Sequence, residues 1–265
     1  MPSSLSTALM PFSTSRFSLA GAAFASVLAV AGCATIPSPD DAAAMAAYEE
    51  ANDPLEPLNR AIFEFNLVAD RYVIKPIAEA YGELPADVRK SVRNFLDNLK
   101  APLIAANSVL QGEPQRAADT LTRFFANTIF GGLGLFDVVP EIPKHDEDFG
   151  QTLAVWGAGE GPYLMLPILG PSNLRDLAGR GVDWFADPTS RVASNAGVEW
   201  ATYTRTGASG VDQRHELLKP LDDLEKNSLD YYAALRNFYR QKRGHDIRNG
   251  APAPKKDAPK FDLDD

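Results

Sequence analysis

The residue types that most often carry catalysis are few in this sequence, and their spacing does not suit it. The three histidines, His145, His215 and His245, include no pair four residues apart, so the spacing of a helical zinc site is missing. The glycine-rich segment 131–134 lacks the Gly-Lys-Ser/Thr ending of a phosphate-binding loop. Residues 170–174 begin like a nucleophile elbow but lack its second glycine. We therefore predict that the protein is not an enzyme and has no metal or cofactor.

The charged segment 144–148, Lys-His-Asp-Glu-Asp, could hold a cation through its carboxylate oxygens. The ligand spacing of a calcium loop is absent from it. We therefore expect a solvated charged loop at this position.

Cys33 is the one residue with a predicted chemical modification. It is the only cysteine and directly follows the small residues Val-Ala-Gly. Upstream, Arg16 and an apolar stretch at 17–32 provide the parts of a secretory signal. A cysteine at this point resembles a bacterial lipobox, in which the thiol is acylated; the alternative is an ordinary signal peptide with a buried free cysteine. We predict a signal peptide at 1–32 and a lipid anchor at Cys33.

The predicted anchor also indicates a location. The apolar stretch has about 16 residues, whereas a membrane-spanning helix needs about 20. No later stretch is both long and apolar enough, so we predict that the chain does not span a membrane. Ala34 stands where an aspartate would resemble an inner-membrane retention signal. The outer membrane, on its periplasmic face, is the predicted location.

The charge of the chain excludes one class of partner. Removal of residues 1–32 removes Arg16 and no acidic residue, which leaves 25 basic against 35 acidic side chains. Nucleic-acid binding needs clustered positive charge, so we predict no nucleic-acid partner. The remaining residues are enough for one domain with a sizeable core.

Composition divides the chain into a folded body and two flanking segments. Residues 33–52 contain two prolines and few large apolar residues, which predicts a lipidated flexible tether. Residues 246–265 are rich in proline, lysine and aspartate, which predicts a disordered tail. The segment 53–245 between them contains no convincing repeat or linker, and we predict one helical domain.

Apolar residues at steps of three and four predict helices, and alternating strand patterns are scarce. We therefore predict an all-α fold, with a helix over 59–73 that Pro76 ends. Further helices are expected over 88–103, 117–128 and 227–242. Arg89, Lys90 and Arg93 lie off the apolar stripe of the second helix and are expected to be solvated. Arg175 and Asp176 begin a helix capped by Ser172 or Asn173, or form a polar pair beside an apolar passage.

Two irregular segments combine glycine, proline and large apolar residues, at 131–146 and 157–171. Glycines permit a sharp reversal, because they adopt positive φ without strain. Their apolar side chains must be buried under helices or in lipid. A buried static loop and a mobile hairpin are both compatible with the first segment.

Several short motifs, in order from about residue 50 to 242, resemble those of the VacJ/MlaA family of lipoproteins. The matching residues are Asp53, Pro54, Asn59, Arg60, Phe65, Asn66, Arg123, Phe124, Asn127, Phe149, Gly150, Pro162, Tyr163, Arg175 and Asp176.

The resemblance implies a ring-like bundle of amphipathic helices in the outer membrane around a polar channel, with irregular Gly/Pro-rich hairpins. It implies removal of mislocalised phospholipids from the outer leaflet and their transfer to a soluble periplasmic carrier, in association with an outer-membrane porin trimer. The alternative is a non-transport lipoprotein that scaffolds porin complexes. The resemblance also implies a hairpin that governs access to the channel, at Gly131, Gly132, Gly134, Leu135, Phe136, Asp137 and Val138.

The lipobox interpretation predicts that Cys33→Ala abolishes acylation, because no other thiol is available. The variant should move from the membrane to soluble or uncleaved fractions. Labelling with a tagged fatty acid, followed by fractionation, measures both effects. Label that remains on the variant would exclude Cys33 as the anchor.

Overall fold

The structure is a computed structural model that describes residue 37 and residues 41–252. The predicted signal peptide, Cys33 and residues 253–265 of the predicted tail lie outside the described residues. The elements follow one another in the order α1 (Ala42–Ala51), α2 (Glu56–Ala69), the π-helix (Asp70–Ile74), α3 (Lys75–Gly82), α4 (Ala86–Leu110), α5 (Pro114–Ile129), α6 (Phe149–Val155), β1 (Tyr163–Leu166), β2 (Gly170–Asn173), α7 (Leu174–Ala186), α8 (Pro188–Asn195), α9 (Trp200–Glu216), α10 (Leu218–Asn227) and α11 (Tyr231–Ile247).

The segment predicted as a flexible tether contains a helix, so that prediction is wrong for residues 42–51. Alanine is the strongest helix former and dominates this stretch. The Asp41 side chain caps the helix by accepting a hydrogen bond from the Ala44 N–H at 2.9 Å. At the other end, Asn52 donates its side-chain amide to the Gly161 carbonyl at 2.6 Å. The helix is therefore attached to the body of the protein.

Pro76 does not end the first predicted helix, because a π-helix precedes it. The Lys75 N–H donates to the Asp70 carbonyl, five residues earlier. A proline lacks an N–H and crowds the carbonyl four residues before it, and a wider turn relieves that crowding. The chain therefore continues in helical form from α2 through the π-helix into α3.

The all-α class is confirmed for the described residues, with one small addition. Strands β1 and β2 form a two-stranded antiparallel hairpin, with Tyr163 opposite Asn173 and Leu166 opposite Gly170. Strands of four residues are too short to show a clear alternation in the sequence. The last helix, α11, is displaced from its predicted position and includes residues 246 and 247, which were assigned to the tail.

The longest helix, α4, forms an antiparallel pair with α5. Helix α4 packs against α5, and the short break at 111–113 reverses the chain between them. Helix α6 packs against α7 at a close crossing, where a Cβ on Gly179 would lie 2.3 Å from the Gly150 nitrogen. A side chain at Gly179 would therefore separate these two helices.

The apolar core is small and lies where α2, the hairpin and α11 meet. Phe63, Tyr163, Met165 and Tyr232 form this cluster, with the Phe63 and Tyr232 rings edge to face at 5.5 Å. Among the described residues, buried polar side chains outnumber buried apolar ones. Globular proteins normally show the reverse.

Asp53 is the polar centre beside this core. Its carboxylate accepts hydrogen bonds from Asn59 at 2.7 Å, from Arg236 at 3.0 Å and from the Tyr232 hydroxyl. Asn59 also donates to the Tyr163 carbonyl at 3.1 Å and accepts from the Met165 N–H at 2.9 Å. These bonds connect α2, β1 and α11.

We predict that Arg236→Ala lowers the free energy of unfolding by about 3 kcal/mol, because it leaves the buried Asp53 carboxylate without its charged partner. The control is Lys242→Ala on the same helix. Lys242 forms an exposed ion pair with Asp246, and its loss should cost less than about 1 kcal/mol. Denaturant unfolding of the detergent-solubilised protein measures both, and equal losses would contradict the assignment.

Candidate functional site

The predicted hairpin region is an irregular loop that leaves the end of α5. Gly132, Leu133 and Gly134 all have positive φ, and together they reverse the chain. A Cβ at Gly131 would lie 2.2 Å from the Phe136 carbonyl oxygen, so only glycine fits there. The Leu133 and Phe136 side chains are 67% and 63% exposed. The apolar tip is therefore not buried under helices.

Arg123 on α5 anchors the base of this loop. Its guanidinium donates to the carbonyls of Val139 at 2.8 Å and Ile142 at 2.5 Å, and to Asp137 Oδ2 at 2.5 Å. Burial by itself would raise the pKa of Asp137, but the hydrogen bond and charge of Arg123 outweigh it, and the pKa lies below its usual value. The carboxylate therefore stays charged and holds the loop to α5.

Asn127, one turn further along α5, makes a second attachment. Its side-chain oxygen accepts from the Val138 N–H at 2.9 Å, and its carbonyl accepts from the Gly134 N–H at 2.8 Å. The loop and its attachment to α5 thus bring together five residues that were identified from the sequence: Arg123, Asn127, Gly134, Asp137 and Val138.

Two adjoining cavities lie beside the loop, with volumes of about 240 and 390 Å³. They share two lining residues, Asn94 and Lys144. Most side chains around the first cavity are polar, and its lining consists of Asn94, Asp97, Asn98, Lys100, Ala101, Ile104, Thr120, Arg123, Phe124, Asn127, Lys144, His145 and Asp146. The second is lined by Ala86, Arg89, Lys90, Arg93, Asn94, Asp137, Lys144 and Glu216.

Several of these lining residues were not identified from the sequence. Asn94 and Asn98 lie four residues apart on α4 and are buried, so they occupy positions where a core stripe would have apolar residues. Polar residues at such positions are visible in the sequence, and they could have identified Asn94 and Asn98 as candidate lining residues. Arg93 is not solvated as expected, because it pairs with Asp212 at 2.9 Å and Glu216 at 2.6 Å.

The expected solvated loop at 144–148 is found only in part, because Lys144 and Asp146 are exposed whereas His145 and Glu147 are not. Glu147 is buried and pairs with Arg116 on α5 at 2.5 Å, whereas His145 lies 3.2 Å from Asp119. Within the part of the chain that the structure describes, no group of three acidic, histidine or cysteine side chains is placed to hold a metal. Four of the five residues, all but Asp146, instead pair with side chains of α4, α5 or α11.

Asp148 and Asp176 form a further ionic cluster with Arg243 on α11, in which Asp176 is buried and the Asp148 side chain is 40% exposed. Arg243 donates to both oxygens of Asp148, at 2.6 and 2.7 Å, and to Asp176 Oδ1 at 3.0 Å. Burial would raise the pKa of Asp148, but the hydrogen bonds and charge of Arg243 lower it below its usual value. Arg175 Nε lies 3.1 Å from Asp176 Oδ1, and Asn173 caps α7 by accepting from the Asp176 N–H at 2.8 Å. The capping interpretation of this motif is confirmed.

The other motif residues lie on the framework. The Asn66 side chain donates to the Leu166 carbonyl at 2.9 Å, which attaches α2 to the hairpin. Arg60 pairs with Asp230 at 2.6 Å on the surface. The remaining positions are Pro54 in the turn before α2, Phe65 exposed on α2, Phe124 in the first cavity, Phe149 and Gly150 at the start of α6, and Pro162 and Tyr163 at the start of the hairpin.

Large apolar side chains are exposed on helices throughout the chain, which is unusual for a soluble domain. Examples are Val68, Tyr72 and Ile77, then Val109, Phe125 and Ile129, and finally Trp184, Phe185, Val192, Trp200 and Tyr203. Among the described helices, none has the length and hydropathy that membrane crossing requires.

Comparison with known proteins gives consistent matches. A family model described as MlaA lipoprotein matches residues 51–246. The Escherichia coli K12 intermembrane phospholipid transport system lipoprotein MlaA is 36% identical over 211 residues, which cover 75% of this chain and 79% of that protein. The Haemophilus influenzae protein of the same name is 30% identical over 234 residues, which cover 86% of this chain and 90% of that protein.

A solved structure, from work on the structural basis for maintenance of bacterial outer membrane lipid asymmetry, matches with a TM-score of 0.65 at 35% identity. The match covers 74% of this chain and 98% of that one. The family model spans most of the chain, and the relatives are similar over most of their own length. The chain therefore belongs to the MlaA lipoprotein family.

Proposed function

We propose that this protein removes mislocalised phospholipids from the outer leaflet of the outer membrane and passes them to a soluble periplasmic carrier. The observation that carries the proposal is the distribution of polarity. Apolar side chains face outwards on many helices, while two adjoining, partly open cavities are surrounded mostly by polar residues. The relatives named as phospholipid transport lipoproteins support it.

The exposed apolar side chains suit immersion in one leaflet. Trp184 is 70% exposed and Tyr203 is 76% exposed. Tryptophan and tyrosine favour the boundary between hydrocarbon and head groups, because one part of each ring system is apolar and another forms hydrogen bonds. A lipid on Cys33 would hold the protein at the periplasmic face of the outer membrane.

The polar cavities address the main cost of moving a phospholipid. A head group is costly to place in hydrocarbon without hydrogen-bond partners, whereas the acyl chains remain in an apolar medium. Asn94, Asn98 and Lys144 offer donors and acceptors along one side of α4 and the adjacent loop. The protein then needs no bond-breaking step, and we propose that it is not an enzyme.

The proposed partners are phospholipid, an outer-membrane porin trimer and a soluble periplasmic carrier. The alternative is a lipoprotein that only scaffolds porin complexes. A scaffold needs anchoring and protein contacts but has no use for a polar passage, so the two cavities favour transport.

Loss of the protein should raise outer-leaflet phospholipid and increase sensitivity to detergent plus chelator, because displaced lipids are no longer removed. Quantification of outer-leaflet phospholipid in cells with and without the protein tests this. The purified protein should release no fatty acid from phospholipid. Esterase turnover that follows the protein through purification would contradict the non-enzymatic assignment.

We also propose that the loop at 131–146 governs access to the passage. Arg123 holds its base, while its exposed apolar tip is attached by few bonds to α4. The hydrogen bond that joins the tip to α4 runs from the Asn94 side-chain amide to the Leu135 carbonyl and is long, at 3.5 Å. Gly134 also packs closely against α4, where an added Cβ would lie 2.5 Å from the Asn98 Cβ. Opening therefore requires the tip to separate from Asn98 while the Arg123 anchor stays in place.

Cysteines in place of Asn94 and Leu135 should block lipid removal when oxidised, because the tip is then fixed to α4. Reduction should restore removal, and the two single-cysteine variants serve as controls. Protein level and membrane location should not change. If fully cross-linked protein clears outer-leaflet phospholipid as wild type does, the loop is a static structural element.

A further inference from the structure

Lys144 occupies the junction of the two cavities. It lines both of them, and its ammonium lies 3.1 Å from Asp97 Oδ2 and 3.2 Å from Asn94 Oδ1. The Lys144 and Asp97 side chains are 48% and 43% exposed. An ion pair this exposed is weakly favourable, so either partner can exchange for another charged group at little cost.

The arginines that line the cavities are more firmly engaged. Arg93 is held by two carboxylates, and Arg123 by one carboxylate and two main-chain carbonyls. Arg89 donates to the carbonyls of Gly82 and Leu84. Lys144 is therefore the cation at the junction that can change partners most readily.

The remaining lysines of the lining are placed differently. Lys90 and Lys100 are exposed, and each lines only one cavity. Because Lys144 lines both cavities, a head group that passes between them in either direction comes within reach of its ammonium. A lysine ammonium is a compact point charge and a common phosphate ligand.

We propose that Lys144 and Asp97 recognise a zwitterionic head group that has a primary amine, as in phosphatidylethanolamine. The phosphate binds the Lys144 ammonium, and the Asp97 carboxylate released from the pair binds the lipid ammonium. One internal ion pair is thus replaced by two charge-assisted contacts. An anionic head group such as phosphatidylglycerol makes the Lys144 contact only. This inference rests on the proposed transport function and defines its head-group preference.

The test uses Lys144→Gln and Asp97→Asn, with Lys219→Gln as the matched control, because Lys219 is exposed on α10 and lines neither cavity. Each full-length variant replaces the native protein in cells. Intact cells are treated briefly with an added phospholipase, and mass spectrometry quantifies the products from phosphatidylethanolamine and phosphatidylglycerol. The same purified variants are titrated with dihexanoyl phosphatidylethanolamine and dihexanoyl phosphatidylglycerol, which remains informative if a variant is poorly produced in cells.

Lys144→Gln should weaken binding of both lipids about tenfold, as expected for the loss of one charge-assisted contact, and both should accumulate in the outer leaflet. Asp97→Asn should weaken binding and cause accumulation of phosphatidylethanolamine alone. Lys219→Gln should change neither binding nor accumulation of either lipid. Equal effects of Asp97→Asn on both lipids would overturn the amine assignment. If deletion of the protein raises outer-leaflet phospholipid but both variants bind and clear lipid normally, the inference fails while the transport function stands. If deletion changes nothing, the transport function itself fails.

Discussion

Buried pairs of a carboxylate and an arginine hold this fold together, because the apolar side chains that would normally form a large core face outwards. Asp53 with Arg236 and Asp176 with Arg243 connect elements far apart in sequence, and Asp137 with Arg123 holds the loop to α5. Such pairs are directional, since they depend on hydrogen-bond geometry as well as on charge. They fix the relative positions of helices that have little apolar surface in common.

This arrangement separates two tasks that one core usually performs together. In the proposed function, apolar residues determine where the molecule rests in a lipid leaflet, whereas polar residues determine how its helices are arranged. The hydrogen bonds of Asn59 and Asn66 to the main chain of the hairpin illustrate the second task, because each amide bonds the β1–β2 backbone as a neighbouring strand would. The cost of burying these groups is offset only where nearly all of their hydrogen bonds are made.

The sequence predicts the helices well because their apolar periodicity is local. Helix α4 follows the three- and four-residue steps, and the break at 111–113 lies where glycine and proline predict it. The continuation of the helix through Pro76 could not be predicted. It depends on a π-helical hydrogen bond that spans five residues, whereas an α-helical bond spans four. The β-hairpin has strands too short for a periodic signal.

The candidate site was only partly predictable. The glycines and Asp137 of the loop are identified by the family motifs, but their attachment to Arg123 is a tertiary contact. Lys144 belongs to a charged segment that the sequence alone indicates as solvated. Its position at the junction follows from the packing of the loop against α4, which residue types and spacing do not record.

Helix α1 limits how far the body can move from an anchor at Cys33. An α-helix advances about 1.5 Å per residue, less than half the rise of an extended chain. Helix α1 is attached through Asn52 to the loop before β1. The connection between the anchor and α1 is therefore the eight Cα–Cα steps from Cys33 to Asp41. Fully extended, these steps span at most about 28 Å. That distance is close to the thickness of a bilayer core, so a lipid on Cys33 would keep the start of α1 within about one membrane thickness of the leaflet.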